Sequence, residues 1–188
     1  MSANLAIEDL AASDKDAVEQ TAMLLVEAFR GHSAAWPDFV SAYEEVQESF
    51  ADERVSRIAR EEDGRVAGWI GGIPDYDGHV WEVHPLAVRP DLQRRRVGTA
   101  LLNDLERLAT KRGGLTLWVG ADDEDGRTSL GGEDLFPDLL GRLAEIENLG
   151  DHPFSFYLRR GFCLAGVLPN ANGFGKPDIF LAKRLASR

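Results

Sequence analysis

Residues 80–114, VWEVHPLAVRPDLQRRRVGTALLNDLERLATKRGG, leave the backbone little freedom. Residues 80–88 are apolar and β-branched, the composition of a buried strand. Pro85 stands inside that run and cannot donate to a ladder, so a bulge or splay is expected around His84-Pro85-Leu86. Such a break leaves backbone N–H and C=O groups for a ligand. After the basic turn Gln93-Arg94-Arg95-Arg96-Val97-Gly98-Thr99, the residues Val97, Leu101, Leu105 and Leu108 form one helical apolar stripe. Gly113-Gly114 ends it in the manner of C′ glycines. Arginines and a glycine therefore meet the N-terminus of a helix, where free N–H groups and the helix dipole favour an anion such as a diphosphate. Arginine runs elsewhere are mostly solvated surface. The position directly after a broken strand favours the anion reading.

The flanking sequence alternates helices and strands. Ser13-x-x-Asp16 predicts a helix start carrying Val18, Met23, Leu24, Leu25 and Phe29, and a second helix is expected over residues 43–50. Residues 54–61 and 65–73 read as two strands joined at Asp63-Gly64, a hairpin signal. Gly68, Gly71 and Gly72 mark a close approach by another part of the chain. A loop over 74–78 leads into the central strand, and residues 115–119 predict a further strand running into an acidic loop. Leu135, Leu139, Leu143, Ile146 and Leu149 suggest another helical stripe. A short helix begins at Pro153 and ends at Gly161, and strands follow over 162–168 and 179–182. With no repeat, linker or low-complexity segment, one compact α/β domain over residues 1–188 is expected.

A net charge of −11 argues against a nucleic-acid partner and is compatible with a cationic ligand. No apolar run reaches membrane-span length, and MSANLAIEDL lacks a basic-then-apolar signal pattern, so no membrane association and a cytoplasmic location are expected. The single cysteine, Cys163, excludes an intrachain disulfide and a cysteine-cluster metal site, and is expected in the core. The four histidines, 32, 79, 84 and 152, lack metal-ligand spacing, so no metal is expected.

Strand, break, Gln/Arg-rich turn and helix together resemble the acetyl-CoA-binding core of the GNAT superfamily of N-acetyltransferases. Its turn reads Gln/Arg-x-x-Gly-x-Gly/Ala; Gln93 and Gly98 match, whereas Arg96 occupies the first glycine position. Further stretches narrow the likeness: Trp81-Glu82-Val83-His84-Pro85-Leu86, TLWVGADDEDGRTSL, IENLGDHPFSFYLRRGF and GVLPNANGFGKPDIFLAK. These are similar to the aminoglycoside 6′-N-acetyltransferases of that superfamily, over residues 68–183. The resemblance implies a mixed, mostly antiparallel sheet splayed at its middle strand and flanked by helices. It also implies acetyl-CoA as cosubstrate, an aminoglycoside as acceptor, loss of the antibiotic's ribosome binding as the consequence, and a homodimer.

The chemistry requires a site that binds an ammonium, removes its proton, stabilises an oxyanion and protonates a thiolate. Glu82 is the candidate for receiving the proton, directly or through water, and His84 for sharing that role; both also suit structural roles. The resemblance assigns Leu86 N–H to the oxyanion, Leu86, Ala87 and Val88 to the pantetheine arm, and Tyr157 to the thiolate. It assigns Gln93, Arg94, Arg95, Arg96, Val97, Gly98 and Thr99 to the diphosphate. Acids 122, 123, 124, 125, 133, 134 and 138 face a single base, Arg127, between residues 120 and 138. Asp122 and Asp125 are the expected substrate contacts, with Trp36, Tyr76 and Asp77 lining the same cleft and Glu82 contributing. Direct transfer in a ternary complex is expected rather than an acetyl-cysteine. Two alternatives stand: the same machinery acting on a protein lysine, an N-terminus or a polyamine, and a non-catalytic acyl-CoA sensor.

Overall fold

The computed structural model describes residues 5–185. The ends of the expected domain, including residues 1–4 of the expected signal-free start, lie outside the described residues. Seven strands form one sheet in the order β1-β2-β3-β4-β5-β7-β6. They are β1 (Ala6–Asp9), β2 (Val55–Arg60), β3 (Val66–Asp75), β4 (Val80–Val88), β5 (Thr116–Asp122), β6 (Cys163–Leu168) and β7 (Asp178–Arg184). Every neighbouring pair is antiparallel except β4 and β5. The helices are α1 (Lys15–Phe29), α2 (Phe39–Glu48), α3 (Val97–Lys111), α4 (Leu139–Ala144) and α5 (Phe154–Arg159).

Period-two alternation divides the core between the two sheet faces. Ile58, Val66 and Trp69 pack with Val18, Leu25 and Val46 of α1 and α2. Val55, Ala59, Ala67 and Ile70 pack with Leu101, Leu102 and Leu105 of α3. Complete burial of each such leucine stabilises the fold by about 1.5–3 kcal/mol relative to exposure.

The expected break in β4 is a bulge. Ile70 pairs with Leu86 and Gly72 with Val83, so His84 and Pro85 stand together opposite Gly71. The extra residue reverses the faces of the strand. Trp81 and Val83, before the bulge, belong to the α3 side; Ala87, after it, belongs to the α1–α2 side, while Leu86 and Val88 pack towards α3. A Cβ at Gly71 would collide with the His84 carbonyl oxygen, and one at Gly68 would lie 2.9 Å from the Ala87 oxygen. The close approach expected at these glycines is therefore made by the bulged strand and by α3.

β4 and β5 pair only from Val80↔Thr116 to Glu82↔Trp118. β5 then continues along β7 as far as Asp122↔Asp178. From Val83 onward β4 is open on its β5 side, which is the splay expected at the middle strand.

Some local expectations change. The α1 N-cap is Asp14, not Ser13, because its carboxylate accepts from Ala17 N at 3.1 Å and also meets Arg60. α2 starts at Phe39, capped by Asp38 accepting from Ser41 N at 3.0 Å. The stripe from Leu135 to Leu149 yields only the six-residue α4. Beyond Glu145 the chain pairs with residues 127–129 instead, through Ser129 N→Glu147 O at 3.0 Å and Leu149 N→Arg127 O at 2.8 Å. β1 had no expectation; Arg60 ties it to the sheet through Glu8 at 2.6 Å. Cys163 is exposed on edge strand β6, its thiol donating to Ala182 O at 3.3 Å, rather than buried.

Candidate active site

Glu82, before the bulge, and His84, its first residue, face α2, opposite to Leu86 and Val88. Glu82 is half-buried, and burial raises its carboxyl pKa, with Asp75 and Glu45 adding to the rise and His84 opposing it. His84 Nε2 lies 3.4 Å from Glu45 Oε1 of α2, and its Nδ1 lies 3.8 Å from Glu82 Oε1. The interaction with Glu45 raises the imidazole pKa, against the opposing effect of burial. Glu45 also accepts from Trp36 Nε1 at 3.3 Å, and the Trp36 ring lies 6.1 Å from that of His84.

The same face continues over β5 and β7. Asp122 and Asp178 are register partners there. The Asp178 carboxylate fills the space that a side chain at Gly120 would take, 2.7 Å from the Cβ position. Burial, then the charges of Asp122 and Glu82, push its pKa up to about 6. Its Oδ1 is buried with no hydrogen-bond partner among the described residues. Burial raises the Asp122 pKa as well, opposed by a hydrogen bond from Asn172 Nδ2. Phe154 N donates to His152 Nδ1 at 3.3 Å, so Nε2 carries the proton it donates to the Asp122 carbonyl at 2.9 Å. This buried imidazole anchors the end of β5 to α5.

Glu45, Glu82, Asp122 and Asp178 thus share one face beside the splay. Like charges held together cannot all ionise freely. The arrangement suits a ligand that brings several positive charges and gives up a proton. The next three acids of the run, Asp123, Glu124 and Asp125, are engaged within the chain. Asp123 is completely buried and accepts from Arg127 N, Thr128 N and Thr128 Oγ1. Asp125 pairs with His32 at 2.7 Å and Arg127 at 2.8 Å, and Glu124 accepts from Ala34 N at 3.1 Å. These contacts tie the α1–α2 loop to the end of β5.

Tyr76 borders a cleft of about 660 Å³ with Asp75, Val80, Trp118 and Phe180. Asp77 lies in the turn beyond the Asp75↔Val80 pair, further from the bulge than Glu82. Glu45, Trp118 and Asp178 carried no site expectation. The only sequence signal for Asp178 was its place in the KPDI stretch, and for Trp118 its place on a strand leading into the acids.

On the opposite face, Leu86 and Val88 approach the start of α3. A Cβ at Gly98 would lie 3.4 Å from Val88 Cγ2, 3.7 Å from Phe156 Cζ and 3.9 Å from Leu86 Cδ2, so the start of α3 packs at ordinary contact distance against β4 and α5. Tyr157 is buried between Phe156 and Phe162, and burial drives its phenol pKa far above the ordinary value. Val97 and Ala87 are buried, so only their backbones are available to a ligand. Gln93 Nε2 donates to Val88 O at 3.4 Å, and Arg94 pairs with Asp151. Arg95 and Arg96 are exposed and Thr99 is half-buried.

α3 follows the N-cap residue Arg96, which makes no side-chain cap hydrogen bond and leaves the first helical N–H groups for an anion. Arg96 has φ +69°, the left-handed conformation that favours glycine. That explains why the family turn carries glycine at this point. Among the described residues, no group of three or more His, Cys, Asp or Glu is placed to hold a metal ion, and no helix is long and apolar enough to cross a membrane.

β4, open on one side from Val83 onward, is followed by a helix start with no side-chain cap, and Phe156 of α5 packs beside both. The acetyltransferase (GNAT) family model matches residues 19–128, and the chain belongs to that family as a GNAT acetyltransferase. Among solved structures, an aminoglycoside 6′-N-acetyltransferase complexed with coenzyme A is 37% identical, with TM-score 0.88, covering 97% of this chain and 98% of the other. The aminoglycoside 6′-N-acetyltransferase from Enterococcus faecium is also 37% identical, with TM-score 0.87 and the same coverage. Aminoglycoside 6′-acetyltransferase type Ii is 32% identical, with TM-score 0.74, covering 97% of this chain and 99% of the other. No curated protein sequence matches.

Proposed function

We propose that this chain is a single-domain aminoglycoside 6′-N-acetyltransferase, moving the acetyl group of acetyl-CoA directly to the 6′-amine in a ternary complex. The observation that carries the reading is the grouping of Glu45, Glu82, Asp122 and Asp178 on the face bordering the open edge of β4. An aminoglycoside carries several ammonium groups. Several carboxylates together hold it, where one exposed ion pair contributes only about 0–1 kcal/mol. Two neighbours of known structure, each 37% identical, are aminoglycoside 6′-N-acetyltransferases.

The amine attacks only when neutral, and alkyl ammonium groups titrate near ~10.4. Glu82 accepts the ammonium proton, the nitrogen bonds to the thioester carbon, and Leu86 N–H faces the developing oxyanion. The C–S bond then breaks, the departing thiolate takes the Tyr157 phenolic proton, and the nitrogen releases its second proton as the amide forms, which returns to the phenolate directly or through solvent. Burial raises the phenol pKa, so Tyr157 is protonated when the thiolate departs, and transfer to the less basic thiolate is drawn forward by the proton the nitrogen gives up. The pantetheine arm lies along the open edge of Leu86, Ala87 and Val88 as an added strand. The diphosphate meets the start of α3, from Gln93 to Thr99. Homodimerisation, implied by the family likeness, belongs to the same reading and is measured by sedimentation.

Thiol release from acetyl-CoA, compared for an aminoglycoside with a 6′-amine and its 6′-hydroxyl counterpart, tests the proposal. Turnover of the amine alone is expected. Turnover of neither, with intact CoA binding, overturns the acceptor assignment in favour of a protein amine, a polyamine or a sensor role.

A further inference from the structure

Glu45 is the one carboxylate of the acidic face that comes from a helix rather than the sheet. Its two oxygens have different partners. Oε2 accepts from Trp36 Nε1 at 3.3 Å, and Oε1 lies 3.4 Å from His84 Nε2. Its side chain is only 16% exposed, so water does not readily replace either partner. Glu45 therefore ties three parts of the chain together: the loop after α1, the helix α2 and the bulge of β4.

The far side of the imidazole faces the candidate base. His84 Nδ1 lies 3.8 Å from Glu82 Oε1, a gap closed by a small rotation of either side chain. A histidine whose one nitrogen is held by a carboxylate has its tautomer set, and the other nitrogen is left as acceptor. We propose that Glu45 is the positioning residue of a Glu82–His84–Glu45 proton relay, holding the Nε2–H of His84 so that Nδ1 receives the proton Glu82 takes from the acceptor amine.

This inference rests on the reading of Glu82 as proton acceptor. The ammonium N–H bond breaks as the Glu82 O–H bond forms. That proton then moves to His84 Nδ1, restoring the Glu82 carboxylate, and the resulting imidazolium is stabilised by Glu45 until solvent removes the proton. The charged groups acting on the ring are Glu45 from α2, Glu82 from β4, Arg54 ahead of β2 and Asp122 from β5. Of these four charges, Arg54 alone opposes the imidazolium, and burial opposes it too.

The test begins with the unmodified protein. Nitrogen-15 NMR of its histidines at alkaline pH should show neutral His84 in the Nε2–H form; an Nδ1–H form overturns the relay. In Glu45→Gln, the His84 titration midpoint should fall by about one unit, because an opposite charge has been removed. The acid limb of kcat/KM for the acceptor should move to lower pH with it, and kcat should drop while KM for acetyl-CoA stays constant. Glu45→Asp should restore part of the shift. In a His84→Gln background, Glu45→Gln should cost little more. A His84 titration unchanged by Glu45→Gln sinks the proposal. The NMR readouts need no acceptor, so a failed aminoglycoside assignment would appear as absent turnover with the His84–Glu45 coupling intact.

Discussion

Asp122 and Asp178 stand opposite each other on β5 and β7, and the Asp178 carboxylate occupies the space left by the missing side chain of Gly120. Two acids in register destabilise a sheet unless something cationic lies between them. Removing one should therefore have opposite effects on the empty fold and on the occupied site.

For Asp178, the folded carboxyl titrates at about 6 against an ordinary 3.8. Between those values the native state holds more protons than the unfolded chain, so stability falls as pH rises through the window and stays lower above it. With solvent screening the cost at neutral pH is about 1 kcal/mol. Asp178→Asn should match the parent near pH 4 and melt higher at pH 7.5, while its acceptor KM rises. Melting curves at the two pH values check the first part and steady-state kinetics the second; a variant less stable at pH 7.5 contradicts the account.

Glu82→Gln keeps the shape of the side chain but not its basicity. Loss of a general base typically costs about 10²–10⁴-fold. Turnover should fall in that range with CoA affinity unchanged, as read by calorimetry. A collapse of CoA binding would mean that Glu82 organises the bulge rather than the proton.

Tyr157→Phe removes only a hydroxyl from a buried ring. The melting temperature should hold and kcat should fall at least about tenfold, since the thiolate loses its proton source. An unchanged kcat, with chemistry shown to be rate-limiting, would assign the proton to another donor.

Arg96→Gly addresses the departure from the family turn. Left-handed backbone costs a non-glycine residue about 1–2 kcal/mol, offset by about 0.4–1 kcal/mol of extra freedom in the unfolded chain. A gain of about 0.5–1 kcal/mol is expected, or roughly 1–4 °C in Tm for a chain of this size. CoA affinity should not weaken if the helix N–H groups, not this side chain, hold the diphosphate.

Gly71→Ala should destabilise the fold by more than about 2 kcal/mol, because its Cβ meets a backbone carbonyl that moves only if the bulge does. Denaturant midpoints report this directly; a neutral result would mean that the bulge is pliable.

Much of this was legible along the chain where neighbours in sequence are neighbours in space. Pro85 in an apolar run announced the bulge, and the four-four-three spacing from Val97 to Leu108 announced α3. β1 carries little sequence signal because it is only four residues long and is held at the sheet edge by Arg57 and Arg60. The Leu135–Leu149 stripe misled because the backbone beyond Glu145 finds its partners at residues 127–129. Asp125 looked as available as Asp122, yet His32 and Arg127 hold it.

Local pattern was enough to set the split strand, the basic turn and the helix, since proline geometry and helical periodicity act over a few residues. Which carboxyls meet was decided only by the tertiary structure. One bulged residue reverses the face of β4, the β5–β7 register brings Asp178 beside Asp122, and the packing of α2 delivers Glu45 to His84. Charge interactions act through space, and the chain order of these acids carries no record of the distances between them.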